Sequence, residues 1–255
     1  MIGCETHGNG PERVLVLHGW GLDHSEFASM YPALDTQAFE FAFMDYRGCG
    51  LSKDQKGNYT IDEIAKNAIG LADHLNWTNF HLIGHSMGGM VLQYITASVP
   101  SRIKSAVAVT PVPACGAPQM EEARRQFLLK AGDSVQGLTM FFMGGTANRH
   151  NLAWAKSMAE KSLSSTEHEV FAKYTLAWAD TNFVQKVQGT RVPIKVLVGE
   201  HDTITAEMMK QTILKWLPNS ELEVLSNCAH YPMFEIPINL ATVCQDFLMK
   251  HEQIE

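Results

Sequence analysis

Short apolar runs alternate along this chain with longer amphipathic stretches. Residues 13–18 (RVLVLH), 39–45 (FEFAFMD), 79–83, 103–109 (IKSAVAV), 194–199 (IKVLVG) and 221–225 (ELEVL) are rich in Val, Ile, Leu and Phe. Such runs predict strands of a mostly parallel sheet with helices covering both faces. Between them, apolar residues return every three or four positions over 25–34, 60–76, 86–98, 205–217 and 238–251, which predicts helices. Thr60 followed by Glu63 has the form of a capping box opening the second of these. Strands alternating with helices predict a doubly wound α/β fold.

The alternation fails once, between Pro111 and Val192. After TPVPACGAP the spacing is helical throughout and no strand signal intervenes. Met120, Ala123, Phe127 and Leu128 mark one apolar face, and Leu138, Phe141 and Phe142 a second. Trp154–Met158 and Phe171–Trp178 add two more. An all-helical insertion late in an α/β sheet is expected to form a lid over the carboxyl ends of the strands, where ligands bind. Most of its aromatic and methionine side chains are expected simply to pack it against the sheet. The expected organisation is 1–112 as the first part of the core, 113–190 as a helical cap and 191–255 as the rest of the core.

Composition narrows the class. A chain of 255 residues buries a full α/β core, and 45% apolar with 18% charged residues is ordinary for a globular protein. The formal charge of −7 argues against nucleic acid or anionic membranes as partners. No apolar stretch approaches the roughly 18 residues that a membrane span needs. The start, MIGCETHGNG, lacks a basic region followed by an apolar run, so no secretory signal is expected. Cys4, Cys49, Cys115, Cys228 and Cys244 are scattered and form no C-x-x-C pair. They predict reduced thiols in a cytoplasmic protein, with no disulfide or zinc framework.

One turn concentrates the chemistry. Gly84-His85-Ser86-Met87-Gly88 stands between the β-prone run Phe80–Ile83 and a helical spacing that starts at Met87. This G-x-S-x-G order suits a nucleophile elbow, in which serine occupies a strained turn and its neighbours must lack side chains. A serine hydroxyl needs an adjacent base, itself oriented by a third group. In this topology an acid and then a histidine follow the serine, each after a late strand. Asp202 follows the strand ending at Gly199, and His230 follows the one ending near Leu225. Glu200 and His201 flank Asp202 and read as surface or capping residues. Asp45 ends a strand too, but it precedes the serine and has Arg47 nearby as an expected ion-pair partner. His85 is the variable residue of the elbow. The reacting oxygen also needs two backbone N–H donors. They are expected from Met87, directly after the serine, and from Trp20, where Gly19 and Gly21 let the backbone turn tightly.

Together these segments resemble the α/β-hydrolase superfamily along almost the whole chain. HGWG is similar to its oxyanion loop, MDYRGCGLS (44–52) to its D-x-R-G-x-G-x-S segment, and GHSMGG to its elbow. VGEHD is similar to the acid turn, and CAHYPMFEIP to the histidine loop with its E-x-P tail. The resemblance implies an eight-stranded, mostly parallel sheet and a catalytic triad of Ser86, Asp202 and His230. Within the superfamily the chain is similar to small capped carboxylesterases, and HGWGLD to pimeloyl-carrier-protein methyl esterases. The short N-terminal segment is expected to trim the first antiparallel hairpin to one strand. Cys49 is expected to pack, having no acid–base partner in the pattern. Arg124, Arg125 and Lys130 could meet an acidic carrier protein, although their helical spacing reads as a solvated face.

The expected activity is hydrolysis of small to medium apolar carboxylic esters through an acyl-enzyme on Ser86. This chemistry needs no metal or organic cofactor, and the expected partner is a small-molecule ester. Dehalogenases and epoxide hydrolases of similar fold use aspartate where Ser86 stands and are disfavoured. A lactonase or C–C bond hydrolase is the main alternative. A ligand receptor of the same fold, its triad capturing a signal, is a more distant one.

Overall fold

In the computed structural model, which describes residues 1–252, the expected strands are Glu12–Leu17 (β2), Phe39–Met44 (β3), Phe80–His85 (β4), Ile103–Val109 (β5), Ile194–Gly199 (β6) and Ser220–Leu225 (β7). Cys4–Gly8 (β1) precedes them. The sheet order is β1-β3-β2-β4-β5-β6-β7. Only the β1–β3 pairing is antiparallel. A single strand stands where the resemblance implies a hairpin, so the sheet has seven strands and not eight. Central β4 is buried along its whole length, as two covered faces require. Edge strand β7 is instead only partly covered, with Val224 exposed and Leu225 buried. Its Glu221 and Glu223 both pair with Lys195, which places charge on an edge that would otherwise template further strands.

The helices follow the amphipathic spacing, with three local differences. Ile61–His74 (α1) opens on Thr60, whose hydroxyl accepts the Glu63 N–H at 3.1 Å. Glu63 does not complete the capping box on Thr60 itself. It reaches one turn further back, to the N–H groups of Asn58 and Tyr59. The segment expected as a helix over 25–34 is a 3-10 helix, His24–Ala33, containing Pro32. Proline lacks the N–H that a continuing α-helix would use. The segment 205–217 breaks at Thr212 into Ala206–Gln211 (α8) and Ile213–Trp216 (α9). Met87–Ser98 (α2) leaves the elbow, and Pro232–Glu235 (α10) and Pro237–Met249 (α11) end the described fold.

Between β5 and β6 the chain forms Glu122–Ala131 (α3), Val135–Gly145 (α4), Leu152–Ser165 (α5) and His168–Asp180 (α6), then the short Val184–Val187 (α7). Phe142, Phe171 and Tyr174 are buried in the common core, while Met140 and Leu176 stay exposed. The insertion is tied to the sheet's loops by hydrogen bonds. The Tyr174 hydroxyl donates to Arg47 O at 2.9 Å, and Glu167 N to Gly48 O at 2.9 Å. Arg125 pairs in bidentate fashion with Asp180, and Arg124 lies over the Phe127 ring.

At the opposite end of the sheet from the elbow, β4 buries a polar cluster. His81 is 0% exposed, with Nδ1 2.8 Å from Ser105 Oγ and Nε2 3.0 Å from Glu12. Lys104 binds the same Glu12 oxygen at 2.8 Å. Burial depresses the His81 pKa to about 4, against a smaller opposing pull from Glu12. Between that value and an unfolded pKa of about 6.5, the unfolded chain holds a proton that the native chain lacks. Stability contributed by neutral His81 is therefore lost as pH falls through this window. Denaturant midpoints at pH 4 and pH 7 should show the wild type losing about 3 kcal/mol more than His81→Gln. Parallel losses in the two proteins would place the acid sensitivity elsewhere.

Candidate active site

Ser86 sits at the carboxyl end of β4 with φ 52° and ψ −112°, a conformation that is costly for a residue bearing a Cβ. The flanking glycines make room for it. A Cβ on Gly84 would strike the Gly88 carbonyl, and one on Gly88 would strike the carbonyls of Leu17 and His18. The turn is held by Ser86 N donating to Val109 O at 3.0 Å. Ser86 O accepts from Met90 N and Val112 N. Ser86 remains 9% exposed.

His230 lies in the loop between β7 and α10, far from Ser86 in the chain. Its Nε2 is 3.0 Å from Ser86 Oγ, and its Nδ1 is 2.9 Å from Asp202 Oδ2. A carboxylate oxygen at Nδ1 fixes the tautomer: Nδ1 carries the hydrogen and Nε2 is free to accept from the serine hydroxyl. Asp202 Oδ1 accepts the Ile204 N–H at 3.0 Å, so the loop after β6 orients the carboxylate. Burial lowers the His230 pKa, but the Asp202 charge and hydrogen bond outweigh it, and the net shift is upward. The imidazole is 13% exposed.

The loop that leads into Trp20 packs against the elbow, where a Cβ on Gly19 would meet His85. Among the described residues, neither the Met87 nor the Trp20 N–H donates a hydrogen bond within the protein. Gly21, with φ 69°, turns the loop that carries Trp20. The helical insertion grips this loop directly. Trp20 Nε1 donates to Phe171 O at 2.9 Å, and the Ser162 hydroxyl donates to Gly21 O. The Trp20 ring meets Phe141 and Phe171 edge-on. Met87 turns its side chain into the core and is fully buried.

The other candidates lie apart. Glu200 accepts the Asn227 N–H at 3.0 Å and, like His201, is exposed. Asp45 does not pair with Arg47, contrary to expectation. Its buried carboxylate turns into its own loop, where it meets both N and Nδ1 of His24 at 2.6 Å and the Leu51 N–H at 2.7 Å. Arg47 points outward, toward Glu63. Cys49 is buried; its thiol is pushed up by that burial and by the nearby Asp45 charge, so it stays protonated. All five cysteines are free. Among the described residues, no group of three His, Cys, Asp or Glu side chains is arranged to hold a metal ion. None of the described helices is long and apolar enough to cross a membrane.

Two buried residues beside the site escape the sequence pattern. His85 reaches under the histidine loop to the His230 carbonyl at 2.8 Å, and Glu26 accepts the Gly19 N–H at 2.7 Å. Glu26 lies among Asp23, His24, Ser25 and Ser29, so no local pattern singles it out.

Comparison with known proteins agrees with this architecture. The family model for the alpha/beta hydrolase fold matches residues 12–237. The chain is 26% identical over 199 residues to 3-oxoadipate enol-lactonase 2 of Acinetobacter baylyi, covering 76% of this chain and 72% of that enzyme. It is 24% identical over 264 residues to the pimeloyl-[acyl-carrier protein] methyl ester esterase of Aeromonas hydrophila, covering 97% and 99% of the two chains. Among solved structures, a bromoperoxidase from Bacillus anthracis superposes with a TM-score of 0.88 at 20% identity, covering 97% of this chain and 95% of that one.

Proposed function

The chain belongs to the alpha/beta hydrolase fold family, and we propose that within it the protein is a serine esterase working through an acyl-enzyme on Ser86. The observation that carries this reading is the contact sequence from Ser86 Oγ to His230 Nε2 at 3.0 Å and from His230 Nδ1 to Asp202 at 2.9 Å. The two unengaged N–H groups at Trp20 and Met87 add to it. Ser86 Oγ attacks the ester carbonyl carbon as His230 Nε2 takes its proton. Asp202 holds the imidazole and stabilises the charge it gains. The Trp20 and Met87 N–H groups receive the tetrahedral oxyanion. His230 then protonates the departing alcohol, and a water molecule deprotonated by His230 releases the acid.

The aromatic group of Trp20, Phe141 and Phe171 beside the oxyanion loop favours an apolar acyl or alcohol portion of modest size. In this reading residues 113–190 act as the lid, and the free thiols suit a reducing, cytoplasmic setting. The ligand is a small molecule. Arg125 is already engaged by Asp180, which weakens the case for a carrier protein docked on α3. The enol-lactonase relative supports a second reading, hydrolysis of a lactone, which is an intramolecular ester attacked in the same way.

A panel of nitrophenyl esters of increasing acyl length, lactones and β-diketones tests both readings. Fluorophosphonate labelling mapped by peptide mass spectrometry accompanies it. Multiple turnovers of short to medium esters, with the label on Ser86, are expected. Lactone turnover without ester turnover would favour the second reading. Cleavage of diketones alone, or a label on another residue, would overturn both.

A further inference from the structure

Behind the proposed nucleophile lies a pair of ionisable side chains that the mechanism above does not use. Glu26, in the 3-10 helix His24–Ala33, has its side chain 0% exposed, and His85 is almost as deeply buried. Glu26 Oε2 accepts the Gly19 N–H at 2.7 Å. Glu26 Oε1 stands 2.5 Å from His85 Nδ1, a close approach without hydrogen-bond alignment, and neither atom has a hydrogen-bond partner elsewhere. His85 Nε2 is 2.8 Å from the His230 carbonyl, which also accepts from Thr110 Oγ1 at 3.2 Å.

These contacts fix the protons. A carbonyl oxygen only accepts, so His85 Nε2 carries a hydrogen. Two bare acceptor atoms 2.5 Å apart in a dry site would be strongly repulsive, so one of Oε1 and Nδ1 carries a proton. Whether it is written as acid and imidazole or as carboxylate and imidazolium, the pair carries no net charge.

We propose that Glu26 and His85 form a neutral positioning dyad that locks the oxyanion loop and the histidine loop onto the nucleophile elbow. This rests on the reading of Ser86 as the nucleophile. Each link has one job. Glu26 holds Gly19, and with it the N–H of the next residue, Trp20. His85 precedes Ser86 and holds the main chain of His230, whose ring centroid lies 4.9 Å from its own. Tyr231 packs on the same imidazole, with ring centroids 5.6 Å apart. Neutrality matters because an uncompensated carboxylate beside the oxyanion loop would oppose the charge that forms there.

Two variants and one spectrum test the proposal. Glu26→Gln keeps an acceptor for Gly19 and supplies a fixed N–H to His85 Nδ1. Its rate of fluorophosphonate labelling at Ser86 should stay within about threefold of wild type, as small net changes in hydrogen bonding allow. Glu26→Leu leaves both partners unpaired, and its labelling rate should fall about 100-fold, the scale of losing one oxyanion donor. Its KM for an ester should be little changed, since the loss falls on the transition state. The ¹⁵N shifts of the histidine ring nitrogens in wild-type protein should report His85 Nε2 as protonated. Labelling of Glu26→Leu at the wild-type rate would overturn the positioning role. A fall in Glu26→Gln as deep as in Glu26→Leu would overturn the neutral dyad. An unprotonated Nε2 would overturn the proton assignment, even if Glu26→Leu failed to fold. If wild-type Ser86 took no label, the nucleophile reading would fail, and the ¹⁵N spectrum would still decide the dyad.

Discussion

Ser86→Ala is expected to reduce turnover of the best ester by about 10⁶-fold, the scale on which removal of a nucleophile disables a serine hydrolase. The substitution deletes one oxygen whose hydrogen-bond partner is His230 Nε2. It leaves the turn intact, because that turn is fixed by main-chain bonds to Val109, Met90 and Val112. The melting temperature should therefore barely move, and KM should change little. The residual rate would come from the Trp20 and Met87 N–H groups and from His230 acting on water. Steady-state kinetics on purified protein, with thermal unfolding measured on the same sample, provide the check. A loss of only tenfold with the fold intact would mean that another residue attacks the carbonyl.

Asp202→Asn should cost about 10⁴-fold in kcat, because asparagine can present its amide N–H to Nδ1 and favour the wrong tautomer. The pH profile should move as well. In the wild type the Asp202 charge and hydrogen bond overcome burial and raise the His230 pKa. His230 acts as base only when neutral, so activity falls as pH drops through that raised value. Without the carboxylate charge and its hydrogen bond, burial is opposed only by the weaker pulls of Glu26 and Glu235, and the pKa falls. The acid limb of the residual activity should then shift to lower pH. Measuring kcat/KM against pH for both proteins tests the sign, since this ratio reports groups of the free enzyme. An unmoved limb would show that a different group controls it.

The strands were legible because a run of Val, Ile and Phe has few other uses in a chain of this composition. The elbow was legible because only glycine fits at positions 84 and 88, where a Cβ would meet backbone within the same turn or the adjoining strand. Helix ends were read less well. Glu63 bypasses Thr60 to cap Asn58 and Tyr59, and the helix predicted over 25–34 winds as a 3-10 helix. In both cases the hydrophobic spacing was right, but spacing does not choose among local hydrogen-bond geometries.

The candidate site divides in the same way. Asp202 and His230 were legible as polar residues after late strands, and the fold brings His230 within hydrogen-bond reach of Ser86 and Asp202 within reach of His230. Asp45 was equally legible as an acid ending a strand. Its true partner, His24, was hidden because the loop after β3 turns the carboxylate away from Arg47.

By itself, then, the sequence determined the alternation of strands and helices, the strained serine turn and the order of serine, acid and histidine. All three rest on periodicity or on sterics within a few residues. Only the tertiary structure decided that the buried Glu26 and His85 side chains meet behind that turn. It also decided that the helical insertion grips the loop of Trp20 and Gly21 through Phe171 and Ser162. Glu26 and His85 carry no local mark of their pairing, and Trp20 meets Phe171 across 151 positions of chain. Such pairings follow from which elements the closed sheet brings together, and no local pattern of residues encodes that.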